Sequence, residues 1–239
     1  MSGENAEIVA RTAGIPIAES YSVLGVAFPG TPKPANPTEH ESMSVRGRPG
    51  RVTAVLRELA GPDILPLLGL GGGTVLIPEA PAREAIPAEL LDRMTRAAGV
   101  PVTATVVSTT PAQIAASTDL AHELLHIVQR LGYQPKLYRF ADLAFEYQVT
   151  RPGPVLNYLL ALLQPVHQHP DLLNTLRHYV SSDWHRQITA RALSVHTNTV
   201  DYRLRRIKEI TGLDPYRPAD LWCLHSAVIA DAYGSAHTD

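Results

Sequence analysis

"ARALSVHTNTVDYRLRRIKEITG", residues 190–212, decides how the end of this chain is read. Val200, Leu204 and Ile207 recur at i, i+4 and i+7, which places them on one face of a helix. Upstream, "HRQITARALSV" supplies Ile188, Ala192 and Leu193 for a shorter helix facing the same core, with Val195 plugging the connection between them. Two helices joined by three or four residues in this way predict a helix-turn-helix, its second helix starting near His196 or Thr197.

The residues turned away from that core suit a nucleic-acid groove. Asn198, Thr199, Tyr202, Arg205 and Arg206 point outward, and His196 and Thr197 stand at the helix start. Arginine forks match guanine edges and phosphates, and asparagine pairs with adenine. From Arg186 to Lys208 six basic side chains (Arg186, Arg191, Arg203, Arg205, Arg206 and Lys208) face Asp201 alone, a net charge of +5 on one supersecondary unit. The candidate DNA-contacting residues are therefore Arg186, Arg191, His196, Thr197, Asn198, Thr199, Tyr202, Arg203, Arg205 and Arg206. A solvated basic helix face is the competing reading of the same pattern.

Three pieces at defined spacing favour DNA. "HPDLLNTL" (His169–Leu176), "ARALSVHTNTVDYRLRRIKEITGLD" (Ala190–Asp214) and a closing helix around "LWCLHSAV" resemble the C-terminal helix-turn-helix of PucR-type bacterial transcriptional regulators, the group that includes the CdaR-type sugar-diacid regulators. The resemblance implies transcription regulation through double-stranded DNA. It also implies His196 at the turn as a helix cap or phosphate contact. Asp201 and Arg186 depart from the pattern, which carries a basic or apolar residue at the first position and an apolar one near the second. Asp201 either repels phosphate or pairs with a neighbouring arginine.

Whole-chain properties bound the rest. The 239 residues suit one large domain or two small ones, and a formal net charge of -2 leaves any DNA affinity to a local patch. Cys223 is the single cysteine and cannot form an internal disulfide. With no signal-like N-terminus and no long apolar run, a cytoplasmic protein is expected.

Upstream, the pattern is mixed. "YSVLGVAF" (21–28) predicts a strand, residues 30–50 a Pro/Gly-rich loop, "RVTAVLRELAG" (51–61) a helix, and "DILPLLGLGGGTVLIPE" (63–79) a hairpin turning at Gly71–Gly73. A helix in "AELLDRMTRAAG", a strand in "VPVTATVVS", a long helix in "TPAQIAASTDLAHELLHIVQRLG" and a last strand in "PKLYRF" follow. This order predicts an α+β chain: a mainly antiparallel α/β sandwich over residues 1–165, then an all-helical domain over 166–239, with prolines 152, 154, 165 and 170 marking the change. The element order resembles the degenerate GGDEF-like, cyclase-like domain that precedes this helix-turn-helix in related regulators. Such relatives often carry a further sensor domain upstream; with its first strand predicted from residue 21, this chain is expected to lack one.

Catalysis is not expected. Cyclase chemistry in this fold needs carboxylates on the first strand and in the hairpin to hold metal, and neither "YSVLGVAF" nor "GGGTVL" has one. The glycines read as a turn rather than a phosphate cradle, because no Lys-Ser/Thr follows. "HELLH" matches H-E-x-x-H, in which His122 and His126 would bind zinc and Glu123 act as base. A solvent-facing histidine pair is the preferred reading, and "HQHP" (167–170) reads as linker. No cofactor is implied. One helix-turn-helix makes a short groove contact, so a homodimer on an inverted repeat is expected, with an effector or partner protein as input. The alternative is a non-catalytic ligand- or nucleotide-sensing module acting through protein interaction.

Overall fold

The computed structural model describes residues 17–29, 39–79 and 86–235. It divides into two compact units, residues 1–144 and 145–239.

The first unit is built on strand β1 (Tyr21–Ala27), every residue of which is buried. A strand buried on both faces needs a cover on each side. One cover is α1 (Glu39–Ala60) with α2 (Leu90–Ala98), where Val52, Leu56, Leu90 and Met94 meet Leu24, Val26, Val75 and Ile77. The other is α3 (Ile114–Arg130), which lies so close that a Cβ on Gly25 would stand 3.1 Å from the Ala121 carbonyl oxygen. Thr105 reinforces that approach, its hydroxyl donating to the same carbonyl at 2.7 Å.

Around β1 the sheet runs β2-β3-β1-β4-β5, where β2 is Leu65–Gly69, β3 Gly72–Pro78, β4 Thr103–Thr109 and β5 Leu137–Arg139. β1 is antiparallel to β3 and β4, β2 is antiparallel to β3, and only β4 with β5 runs parallel. The expected mainly antiparallel α/β sandwich is the observed one. In the hairpin, Gly72 and Gly73 take φ of +126° and +155°, and a Cβ on either would fall about 2 Å from a carbonyl oxygen of the neighbouring strand. Only glycine fits there.

One local expectation fails. The Pro/Gly-rich loop predicted for residues 30–50 lies outside the described residues up to 38, but from Glu39 the chain is helical through Gly47, Pro49 and Gly50. Tertiary contacts override the poor propensity. Arg48 is buried, donates from Nε to the Ala98 carbonyl oxygen at 3.2 Å, and stacks over Phe28, while Arg51 reaches the Ala97 carbonyl at 2.8 Å. Both cations sit on the C-terminal end of α2, where the helix dipole favours positive charge.

Helix α4 (Phe140–Thr150) spans the division between the units. The second unit continues with α5 (Pro154–His167), α6 (Pro170–Ser181), α7 (Arg186–Ala192), α8 (Thr197–Thr211) and α9 (Pro218–Ser235). The change of domain expected near residue 165 therefore falls inside α5, and the compact units meet at Ala144 and Phe145 instead. Prolines misled that reading. Pro154 and Pro170 occupy first-turn positions, where a missing N–H costs nothing. Leu159, Leu163 and Val166 of α5 are buried in the helical core with Leu176, Leu204 and Leu224.

Candidate nucleic-acid interface

Helices α7 and α8 form the helix-turn-helix. α7 ends in a Schellman turn, the Val195 amide bonding to the Ala190 carbonyl and the Ser194 amide to the Arg191 carbonyl. Ser194 stands at the left-handed position, φ 53°, which glycine more commonly fills. Two residues later His196 caps α8, its Nδ1 accepting from the Asn198 amide at 3.2 Å. A ring nitrogen thus does the work usually given to a serine or aspartate oxygen, and the proton is left on Nε2.

The inner faces are close to those expected. Val200, Leu204 and Ile207 are fully buried. On α7, however, Thr189 and Ala190 take the buried positions, Leu193 is half-buried, and Ile188 and Ala192 are exposed, Ile188 by 50%. Thr189 hides in this core by donating its hydroxyl to the His185 carbonyl at 3.0 Å. The sequence pattern favoured the larger apolar side chain over a threonine whose polarity is satisfied within its own helix.

Opposite the buried stripe, Asn198, Tyr202, Arg205 and Glu209 follow at i, i+4, i+7 and i+11, and all four are exposed. Thr199 and Arg206 border them on one side. Arg206 donates to Glu209 at 2.6 Å, an exposed pair that a phosphate can exchange for. Arg205 bonds through Nε to the Asp201 carbonyl at 3.3 Å, within its own helix. Arg191 is exposed on α7, and Thr197 is half-buried in the first turn of α8.

Two of the ten predicted side chains are engaged by partners within the protein. Arg203 is only 20% exposed, lies 3.3 Å from an Asp171 carboxylate oxygen, and donates to the Thr175 hydroxyl at 3.1 Å, clamping α8 to α6. Arg186 donates to both oxygens of Asp201, at 3.0 and 3.1 Å, joining α7 to α8. Of the two roles weighed for Asp201, pairing with an arginine is the one adopted. The local charge available to DNA is smaller than the formal +5.

Tyr216 completes this network and was not foreseen, since it lies beyond α8 and no spacing rule links it to Asp201. Its hydroxyl donates to Asp201 Oδ1 at 2.9 Å. Burial raises the Asp201 carboxyl, but the bonds from Tyr216 and Arg186 and the charges of Arg186 and Arg205 outweigh it and hold the group below its ordinary value. Burial first, then the bond to Asp201 and its charge, push the Tyr216 phenol up to about 12. A depressed acid stabilises the fold above its unfolded pKa and loses that contribution as pH falls through the folded one. A raised phenol stabilises below its unfolded pKa of 10.0 and loses that contribution as pH climbs towards about 12. Thermal melts across pH should therefore show the wild type losing stability at both ends. Asp201→Asn should flatten the acid limb and also reduce the alkaline loss, the latter only in part because the burial of Tyr216 remains; unchanged limbs would remove the network's stabilising role.

A second unforeseen clamp is Asp231 of α9, buried, with Arg177 Nη2 and His167 Nε2 each 2.8 Å from one of its oxygens. It ties α9 to α5 and α6. "HQHP" is thus less a linker than the end of a helix whose histidine is structurally engaged.

In the α/β unit, His122 Nε2 lies 2.7 Å from the Thr74 hydroxyl of β3. Burial and the charge of Arg130 lower the His126 pKa. Among the described residues no three His, Cys, Asp or Glu side chains converge to hold a metal. The acid that follows the hairpin, Glu79, accepts from the Ser20 and Ser22 hydroxyls at 2.9 and 2.7 Å. Burial raises its pKa, but the hydrogen bonds of Ser22, Ser20 and Ser108 outweigh that and leave it lowered.

Residues 172–230 match the family model of the PucR C-terminal helix-turn-helix domain. Uncharacterized proteins of Mycobacterium tuberculosis and Mycobacterium bovis are 45% identical to this chain over 58 residues, 24% of this chain and 14% of theirs. The chain thus matches only a small part of these curated relatives. The crystal structure of a regulator of polyketide synthase expression from Bifidobacterium adolescentis aligns over 98% of this chain and 87% of its own, at 19% identity and a TM-score of 0.40.

Proposed function

We propose, from the premise that this chain carries a PucR-type helix-turn-helix domain, that the protein is a transcription regulator whose α8 reads base edges in the major groove of double-stranded DNA. The observation that carries this is the outward stripe of Asn198, Tyr202 and Arg205, opposite a fully buried Val200, Leu204 and Ile207. Asn198 matches adenine N6/N7 and Arg205 guanine O6/N7, each as a bidentate pair. Thr199 and Arg206 border that stripe as phosphate contacts, the exposed Arg191 of α7 is a further phosphate contact, and the His196 Nε2–H is another donor at the helix start.

The protein acts as a homodimer on an inverted repeat, because a single α8 offers only one short groove contact. The α/β unit is a non-catalytic module through which an effector or partner protein acts: β1 and the hairpin lack the carboxylates that cyclase chemistry requires, and the acid beside the hairpin is already held by serines. A DNA-directed role places the protein in the cytoplasm, in keeping with the fact that no helix among the described residues is long and apolar enough to cross a membrane.

Sequencing the genomic fragments that the purified protein retains tests this reading. The expected result is one shared motif with two-fold symmetry. Fragments without a common motif, retained in proportion to length and lost together as salt rises, would reduce the protein to a non-specific polyanion binder.

A further inference from the structure

Helix α5 carries two apolar stripes and the helical unit uses one. Leu159, Leu163 and Val166 are buried, on a helix that packs against α6, α8 and α9. Val155, Tyr158, Leu162 and Pro165 recur at i, i+3, i+7 and i+10, the alternation of three and four that makes a coiled-coil seam. Their side of the helix is turned roughly 90° from the buried stripe. Val155 and Tyr158 are 57% and 58% exposed, Pro165 is exposed and Leu162 half-buried.

We propose that this second stripe of α5 is the surface on which a second copy of the chain docks, pairing the two α5 helices about a two-fold axis. The inference rests on the DNA-binding reading for its purpose but on α5 for its evidence. From Pro154 to His167 there is no Asp, Glu, Lys or Arg, although surface helices ordinarily carry charge on their outer face. Charge-free composition suits self-association, because a two-fold axis brings the residues nearest it onto their own counterparts, where a charge would meet its like. A membrane-surface helix would carry Lys and Arg beside its apolar face, and a nucleic-acid surface would be basic; α5 is neither.

The position fits the role. α5 contacts α8 from the core side, so pairing through α5 fixes the spacing of two recognition helices while leaving their outward faces free. α5 also precedes the residues matched to the helix-turn-helix family, so the surface belongs to this chain rather than to that module. A helix of 14 residues is about 21 Å long, so one such pair makes a small contact of the kind that is weak by itself. The dimer is therefore weak in free solution and tightened on the operator, where one bound half raises the effective concentration of the other.

Sedimentation velocity over a concentration series, with the whole chain, tests it. Wild type is expected to pass from monomer to dimer. Tyr158→Glu and Tyr158→Lys should each weaken dimerisation by at least about ten-fold, and their equimolar mixture should recover it, which a folding defect cannot produce. A wild type monomeric throughout, single variants that dimerise like wild type, or dimers abolished only by Leu67→Glu on the exposed edge strand β2 would each overturn the proposal. Binding to DNA with one half-site separates the two readings. If the variants bind it like wild type but self-associate unchanged, only the α5 surface is lost; if no form binds DNA yet the charge variants break and rebuild the dimer, only the DNA reading is lost.

Discussion

Leu204→Ala is expected to cost the helical unit about 2–5 kcal/mol, the range for removing a large aliphatic side chain from a packed core without collapse of the space it leaves. Leu204 is fully buried in the middle of the stripe by which α8 packs on α5, α6 and α7, with Val200 and Ile207 one turn to either side. Rigid helices on several sides leave little freedom to close the cavity, which favours the upper half of that range. Denaturant unfolding of the whole chain checks it. The transition of the helical unit should move to lower denaturant, and DNA affinity should fall only as folded protein is lost. A cost below about 1 kcal/mol would mean that α8 is held mainly by Arg203, Arg186 and the Tyr216 network rather than by its apolar stripe.

Asn198→Ala and Arg205→Ala are expected to leave the fold intact and to change what DNA is bound. Both side chains are exposed, so the loss falls on the complex. If each makes a bidentate base contact, its removal should cost roughly 1–3 kcal/mol on the preferred site and relax discrimination at one base pair. If Arg205 instead meets a phosphate, affinity should fall on all sequences alike and the salt slope should shrink by about 1. Binding to operator fragments with single base changes distinguishes the cases. Arg203→Ala is the contrasting variant: its guanidinium is spent on Asp171 and Thr175, so it should lower the melting temperature more than it alters base preference. If Asn198→Ala and Arg205→Ala both bind like wild type, α8 is not the reading helix.

The helix-turn-helix was legible because its information is local. A stripe at helical spacing and a tight turn suffice to draw two helices and to say that Asn198, Tyr202 and Arg205 face away from the core. What was not legible depends on partners distant in sequence. Nothing around Arg203 announces that α6 brings Asp171 and Thr175 beside it, and nothing around Asp201 announces Tyr216, so basic residues counted together by charge divide into surface and clamp only in three dimensions. Asp231 escaped for the same reason, an acid in an apolar helix whose partners His167 and Arg177 come from two other helices. In the first unit the short apolar run of β1, the hairpin glycines and the β-branched run of β4 carried the sheet. The helix through Gly47, Pro49 and Gly50 was hidden, because its stability comes from Val52 and Leu56 in the core and from Arg48 on the end of α2, not from propensity.

The central claim is that two copies of α8 enter successive major grooves on one side of the duplex, about 34 Å or a multiple apart. Affinity for an operator with DNA inserted between its halves tests it most directly. Inserting about five base pairs turns one half-site to the opposite side of the duplex, whereas inserting about ten restores the original face. The account predicts a large loss with the half-turn insertion and recovery of much of the affinity with the full turn. Equal binding to both inserted operators, or a footprint over one half-site only, would contradict it.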